Sequence, residues 1–300
     1  MPKLEYETKN FRAEALGIIE QAEVIIEQYQ AQGFTLTLRQ LYYQFVARAL
    51  IPNTEKSYTR LGNIISDARR AGMIDWNAIV DRTRFLRKLS SWDKPQSILE
   101  SARDSYHRDL WANQDKRLEV WIEKDALVGV IEDICQTNDI PFFSCRGYVS
   151  DSEMWAGAMR SLKHRDSGKD VLILHLGDHD PSGIDMTRDI TDRLKLFMFE
   201  KNIEVRRIAL TMEQIDELNP PPNPAKITDS RYRNYAEEYG EESWELDALE
   251  PNYIVNLIEQ EVLAEKDTDR WDEAYNQQES ERKQIATVIK KWNDLFKLGQ

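Results

Sequence analysis

From about Phe11 to Gln30, apolar side chains recur at helical spacing (Ala15, Ile18, Ile19, Ala22, Ile25, Ile26, Tyr29). Gly33 closes the pattern, which predicts an amphipathic entry helix. Thr37 then reads as an N-cap, followed by a stripe of Leu38, Leu41, Tyr42, Phe45, Val46 and Ala49 that Pro52 ends. A further helix is predicted from Tyr58 to Ala71, with Leu61, Ile64, Ile65 and Ala68 inward, and another near Ile98 to Trp111.

At Leu118, Val120 and Ile122 the period changes to alternation, so a strand and a second module begin there. The chain then reads as strand and helix in turn: Leu118–Glu123, Ala126–Cys135, Pro141–Cys145, Ser152–Leu162, Val171–Leu176, Ile184–Phe199 and Val205–Leu210. That alternation predicts a mostly parallel sheet with crossover helices. A Pro-rich loop at 219–224, the segment Trp244–Leu249 and two helices, about Pro251–Ala264 and Trp271–Phe296, complete the reading. The predicted fold class is therefore α/β. It comprises an N-terminal helix (1–36), a helical winged-helix-like domain (37–95), a linker helix (96–117), a domain with the parallel sheet (118–263) and a C-terminal helix (264–300).

Charge divides the chain in the same place. The whole carries −13, yet Arg39 to Lys94 holds eleven Lys and Arg against five acids, a local +6, which leaves −19 for the rest. A basic module that approaches phosphates, joined to an acidic module that holds cations, is the expectation. Arg60, Arg69 and Arg70 fall on the polar side of the second short helix, where a helix-turn-helix or winged-helix unit would face DNA. Many helical hairpins that bind no DNA share this pattern.

No run of about 18 apolar residues is present to span a bilayer, and Met-Pro-Lys-Leu-Glu-Tyr-Glu at the start lacks a signal-peptide stretch. A cytoplasmic, membrane-free protein is expected. Cys135 and Cys145, the only cysteines, lie in apolar stretches and are expected in the core.

Two predicted strands end in acids. The first ends at Glu123, and the apolar run Val171–Leu176 leads into Gly177-Asp178-His179-Asp180-Pro181-Ser182-Gly183. In an open parallel sheet, binding residues gather beyond the carboxyl ends of the strands, so neighbouring strands would bring these acids together. Asp178 and Asp180 can project to one side of an extended segment and Glu123 can complete an oxygen cage. Three such carboxylates repel unless a cation neutralises them. Hard oxygen ligands without a His/Cys set favour Mg²⁺ or Mn²⁺, with His179 a flanking residue. Asp, Pro, Ser and Gly are also turn formers in their own right, so the segment alone equally describes a solvated turn.

Glu123 within Val-Trp-Ile-Glu-Lys-Asp-Ala-Leu, followed by Gly-Asp-His-Asp-Pro-Ser-Gly, resembles the Toprim domain of topoisomerases, bacterial primases and several nucleases. The Glu-Lys pair and the Asp-Pro-x-Gly extension are similar to the topoisomerase VI A subunit and the related meiotic double-strand-break protein. Arg146-Gly147-Tyr148 and Trp244-Glu245-Leu246-Asp247-Ala248-Leu249 match further segments, so the likeness runs through most of residues 118–263. It implies a Rossmann-like Toprim domain with Glu123, Asp178 and Asp180 on the metal, support from Glu245 and Asp247, and DNA contacts from Lys124 and Arg146.

The same family carries its nucleophilic tyrosine in a preceding winged helix within Thr/Ser-x-Arg-x-Ile/Leu-Tyr-Tyr, and this chain reads Thr37-Leu-Arg39-Gln-Leu-Tyr42-Tyr43. Helical spacing puts Tyr42 on the apolar stripe and Tyr43 off it, one turn from Arg39, whose charge would favour a phenolate. The chain departs from the family pattern after the tyrosines, at Gln44–Asn53 and through Asp75-Trp76 and Asp81–Arg84. The resemblance implies Mg-dependent DNA strand breakage by Tyr43 with Arg39 and Glu123, in a homodimer acting on duplex DNA with a separate ATPase subunit, since no Walker A sequence is present. Two alternatives stand beside it. One is a hydrolytic Toprim nuclease that activates water, like the nuclease subunit of plasmid-defence condensin systems, and the other is a non-catalytic DNA-binding subunit.

Overall fold

The computed structural model describes residues 3–81, 89–199 and 203–297, with 292–297 by backbone alone. The basic run Arg82, Arg84, Arg87 and Lys88 lies outside the described residues. In chain order the elements are α1 (Ala13–Ala31), α2 (Leu38–Ala47), α3 (Glu55–Arg70), α4 (Pro95–Asp104), β1 (Lys116–Ile122), α5 (Val128–Thr137), β2 (Phe142–Ser144), α6 (Asp151–Asp166), β3 (Asp170–Leu176), α7 (Pro181–Phe197), β4 (Glu204–Ala209), α8 (Met212–Leu218), β5 (Asn223–Pro224), α9 (Tyr232–Tyr239), β6 (Glu242–Ser243), α10 (Pro251–Glu265) and α11 (Thr268–Lys297).

The protein is α/β with a four-stranded parallel sheet in the order β2-β1-β3-β4. Period-two alternation sorts its two faces. Leu118, Val120, Ile122, Leu172, Leu174 and Leu176 pack with α5 and α10 through Ile131, Cys135, Ile254 and Ile258. Trp121, Val171 and Ile173 pack on the other face with α6 and α7 through Met154, Ala158, Ile190 and Leu194. Because β3 is central and covered on both sides, it reads as an unbroken apolar run, as buried parallel strands do. Each fully buried Leu or Ile here contributes about 1.5–3 kcal/mol relative to exposure. Cys135 and Cys145 are buried, and burial pushes both thiols up to about 12.

The N-terminal helices form their own core, with Ile19, Ile25, Tyr29, Leu41, Phe45, Leu61 and Ile65 interlocked. Thr37 caps α2 in a reciprocal box: its hydroxyl accepts from Gln40 N at 3.2 Å while Gln40 Oε1 accepts from Thr37 N at 2.8 Å. Pro52 does not end α2. The helix stops five residues earlier at Ala47, where Ala49 turns left-handed (φ 54°) and Leu50 N donates to Phe45 O at 2.9 Å. The helix expected at Ile98–Trp111 is also shifted: Pro95 at its first turn starts it earlier, and it ends at Asp104. No helix among the described residues is long and apolar enough to cross a membrane.

Candidate functional site

Strand order decides where the site lies. β1 and β3 are neighbours, and from β1 the chain crosses to β2 on one side while β3 and β4 continue on the other. The space beyond the carboxyl ends of two strands whose connections leave in opposite directions is the crevice where open α/β sheets bind ligands. Both strands end there in acids, in register through Ile122↔Leu176.

Glu123 follows β1. Its Oε2 accepts the Asp178 amide at 2.8 Å, and its own N–H donates to Leu176 O at 2.8 Å, so the two strand ends are clamped to each other. Gly177 leaves room at this clamp, since a Cβ there would lie 3.0 Å from Glu123 Oε2 and 3.3 Å from Arg207 Nη1, close enough to push on both side chains. Asp178 Oδ1 accepts Leu246 N at 2.8 Å, and Oδ2 lies 2.9 Å from Lys124 Nζ. Asp180 is the N-cap of α7. Its Oδ1 accepts Gly183 N at 2.6 Å and the Ser182 hydroxyl at 2.9 Å, with Pro181 at the first helical position. Gly183 permits the tight return, because a Cβ would meet Asp178 O at 2.2 Å. The Asp-x-Asp-Pro-x-Gly segment is thus a capped turn that carries both aspartates beyond the end of β3.

The electrostatics are those of crowded acids. Burial raises Glu123, and the charge on Asp178 raises it further. Burial likewise raises Asp178, with Lys124 opposing. Burial also raises Asp247, again against Lys124. Burial acts to raise Glu245 too, but Lys124, Tyr43 and Arg39 together outweigh it and its carboxyl ends below the usual range. Five carboxylates (Glu123, Asp178, Asp180, Glu245, Asp247) face three basic side chains, Lys124, Arg207 and Arg39, an excess of two negative charges at full ionisation.

Among the described residues, no set of three His, Cys, Asp or Glu side chains is arranged to hold a metal ion. The ammonium of Lys124 holds the second oxygen of Asp178 and also pairs with Glu245 and, at 3.7 Å, Asp247. The donor chemistry nevertheless fits a hard divalent cation, because the acids are all-oxygen, partly buried and in excess of their counter-charges. Glu123, Asp178 and Asp180 would hold it.

Several expected roles change in three dimensions. Lys124 is only 15% exposed and enclosed by carboxylates, so it does not present its charge to DNA. Tyr43 is not free: it is 3% exposed, because the segment Leu246–Ala248 packs onto α2, and Ala248 joins the N-terminal core. Its ring lies near the Glu245 carboxylate. Burial first, and then Glu245, raise the phenol well above its usual value, outweighing Lys124 and Arg39. Tyr42 is buried as expected, with its hydroxyl donating to Asn53 Oδ1 at 2.8 Å.

Arg39 is half-exposed, 3.8 Å from Glu245 and over the Tyr58 ring. Arg69 stacks on Trp76 and donates to its carbonyl at 2.8 Å, which makes it part of the helical core rather than a phosphate contact. Arg60 pairs with Glu14 at 2.6 Å, Arg70 is at the surface, and Arg146, 71% exposed at the rim of the crevice, pairs with Asp125.

The residue that pattern-reading missed is Arg207 on β4. Its guanidinium donates to the carbonyls of Gly177 (2.9 Å), Asp178 (2.5 Å), Gly183 (2.9 Å) and Leu210 (3.2 Å) and to Thr187 Oγ1 (3.0 Å), lacing together the turn that carries both aspartates. Burial lowers it to about 10, still charged at neutral pH. The available signal was an arginine pair inside the otherwise apolar strand Val205-Arg206-Arg207-Ile208. His179 indeed flanks the turn: its Nδ1 meets the Tyr235 hydroxyl at 2.8 Å, and its ring packs edge-on against Tyr239 and Trp244. Neither a protein-family model, a curated protein nor a solved structure matches this chain.

Proposed function

We propose that this protein breaks DNA phosphodiesters with the help of a divalent cation at a Toprim-type acidic site formed by Glu123, Asp178 and Asp180. One observation carries the reading: two adjacent parallel strands at the point where the sheet's connections diverge both end in acids, bound to each other through Glu123 Oε2 and the Asp178 amide. The motif resemblance supports it. A bound Mg²⁺ or Mn²⁺ would supply Lewis-acid stabilisation of the charge that develops on the phosphate and leaving oxygen. Arg207 holds the turn in shape, Asp180 starts α7 so that the helix N-terminus faces the crevice, and Arg146 at the rim meets the nucleic-acid backbone.

The nucleophile that fits the described conformation is water, as in a hydrolytic nuclease, because the Tyr43 phenol is buried, and burial together with the nearby Glu245 charge disfavours the phenolate. A second reading has its own support. Tyr43 touches Glu245, and Glu245 shares Lys124 with Asp178, so the tyrosine lies on the same charge network as the acids. In that reading the seam over α2 opens and Tyr43 attacks phosphorus, in a dimer with an ATPase partner, as the topoisomerase VI A resemblance implies.

The test is cleavage of supercoiled plasmid with Mg²⁺ or Mn²⁺, followed by denaturation in SDS and a search for protein-linked 5′ ends. Asp180→Asn keeps the α7 cap, since Asn caps as well as Asp, but removes the charge. It should leave thermal stability near wild type and abolish cutting. Cuts that persist in Tyr43→Phe without linked ends select hydrolysis, whereas linked ends lost in Tyr43→Phe select the tyrosine. Cutting that survives both Asp180→Asn and EDTA would sink the proposal.

A further inference from the structure

A line of charges crosses from the strand ends to α2, with Lys124 at its centre. Nζ lies 2.9 Å from Asp178 Oδ2, bonds Glu245 Oε2 and stands 3.7 Å from Asp247 Oδ2. The other oxygen of Asp178 is already taken by Leu246 N. Oδ2, the oxygen free of a main-chain bond, is therefore the one for which a metal ion would compete directly with the ammonium.

Asp247 supplies the independent observation. It is 2% exposed, and neither carboxylate oxygen has a hydrogen-bond partner. A buried carboxylate left so poorly satisfied carries an uncompensated desolvation cost and calls for a functional reason. Its nearest cation is Lys124, held slightly too far away for a hydrogen bond by the pull of Asp178 on the same ammonium. A four-carbon stem and three rotatable donors let a lysine move between such neighbours.

We propose that Lys124 is an internal counter-ion that competes with a divalent cation for Asp178 and withdraws onto Asp247 and Glu245 when the cation binds. Lys124 is then a positioning residue that sets how tightly the site loads, and Asp247 is the seat kept ready for its ammonium. The inference rests on the reading of Glu123, Asp178 and Asp180 as a cation site. It departs from a phosphate-binding role, for which three surrounding carboxylates give the wrong potential. It departs equally from a static salt bridge, which would bear on the fold and not on metal affinity. No covalent step is involved, and the incoming cation replaces the charge that leaves Asp178.

The experiment is isothermal titration of the full-length protein with Mn²⁺. Asp180→Asn serves as the control that the wild-type signal comes from the acid site, and circular dichroism confirms each fold. Lys124→Met should tighten Mn²⁺ binding about tenfold, equivalent to about 1.4 kcal/mol. Asp247→Asn, which removes the receiving carboxylate while the competitor stays, should weaken it. In the double variant the Asp247 effect should vanish, because no ammonium is left to receive. Unchanged or weaker binding in Lys124→Met, with wild type still binding through Asp180, overturns the inference and leaves the cation site standing. So does an Asp247→Asn effect that persists without Lys124. If neither wild type nor Lys124→Met binds Mn²⁺, the cation-site reading falls and takes the inference with it. Should Lys124→Met fail to fold, Lys124→Gln and the Asp247→Asn measurement carry the same decision.

Discussion

His179 and Trp244 exchange both of their main-chain hydrogen bonds, at 2.8 and 2.9 Å, in a single antiparallel bridge. This bridge brings residues 245–247 beside Asp178 although they are far apart in sequence. Leu246 N then reaches Asp178, and Glu245 and Asp247 reach Lys124. The acidic site is therefore made of two strand ends and one returning segment, and the same segment covers Tyr43.

Trp244 anchors that return, at 7% exposure within the sheet's core and against the His179 ring. Trp244→Ala should cost about 3–5 kcal/mol, the usual range for a buried tryptophan. The loss should also free Tyr43, so tyrosine fluorescence quenching by acrylamide should rise at temperatures well below the melting transition. Undiminished protection of Tyr43 would show that the return segment is held by other contacts.

Arg207→Met would leave the carbonyls of Gly177, Asp178, Gly183 and Leu210 without their charged donor. A loss of at least about 3 kcal/mol in urea unfolding is expected, since hydrogen bonds to charged groups contribute about 1.5–3 kcal/mol each. Arg207→Lys, which reaches fewer of these carbonyls, should fall between. Equal stability of all three proteins would contradict the bracing role.

Gly183→Ala places a methyl group 2.2 Å from Asp178 O, against main chain that cannot step aside. Overpacking of this kind costs about 1–3 kcal/mol. Because the displaced atom belongs to Asp178, divalent-cation affinity should fall along with the melting temperature. Gly168→Ala, at an exposed left-handed position (φ 82°) just before the N-terminal end of β3 and so at the opposite end of that strand from the acids, should lower stability alone.

His175 is fully buried, with Nδ1 2.9 Å from Thr187 Oγ1 and Nε2 without a partner. Burial, and then Arg207, depress it from 6.5 to about 3. A depressed folded value means that the fold excludes the proton. The stability this confers is complete above 6.5 and is lost as pH falls from there towards 3. The slope is at most about 1.4 kcal/mol per pH unit for one group. Between pH 7 and pH 5, His175→Leu should lose about 2 kcal/mol less stability than wild type in urea titrations. Parallel losses in the two proteins would place the acid sensitivity elsewhere.

The order of helices and strands as far as β4, the two C-terminal helices, the apolar faces of α2, β1 and β3, the cap at Thr37 and the acids at two strand ends were legible in the sequence, whereas α8, α9 and the β5–β6 pair were not. Each legible feature depends on local periodicity or on a side chain bonding within a few residues of itself. Even there, α2 ended early because a left-handed Ala49 closed it, a backbone choice that helical spacing does not reveal.

Tertiary structure decided what those residues face. Tyr43 lies off the apolar stripe of its own helix, yet it is buried because Leu246–Ala248 packs over it. Lys124 follows a metal-type glutamate in sequence, yet its charge is spent on three carboxylates from two distant segments. Arg207 belongs to no motif in the sequence, and only the strand order β1-β3-β4 sets it under the aspartate turn. Helical spacing and strand alternation report which side of an element is apolar. Which charges then meet depends on long-range pairing, and a buried charge is stable only where those pairings supply its partners.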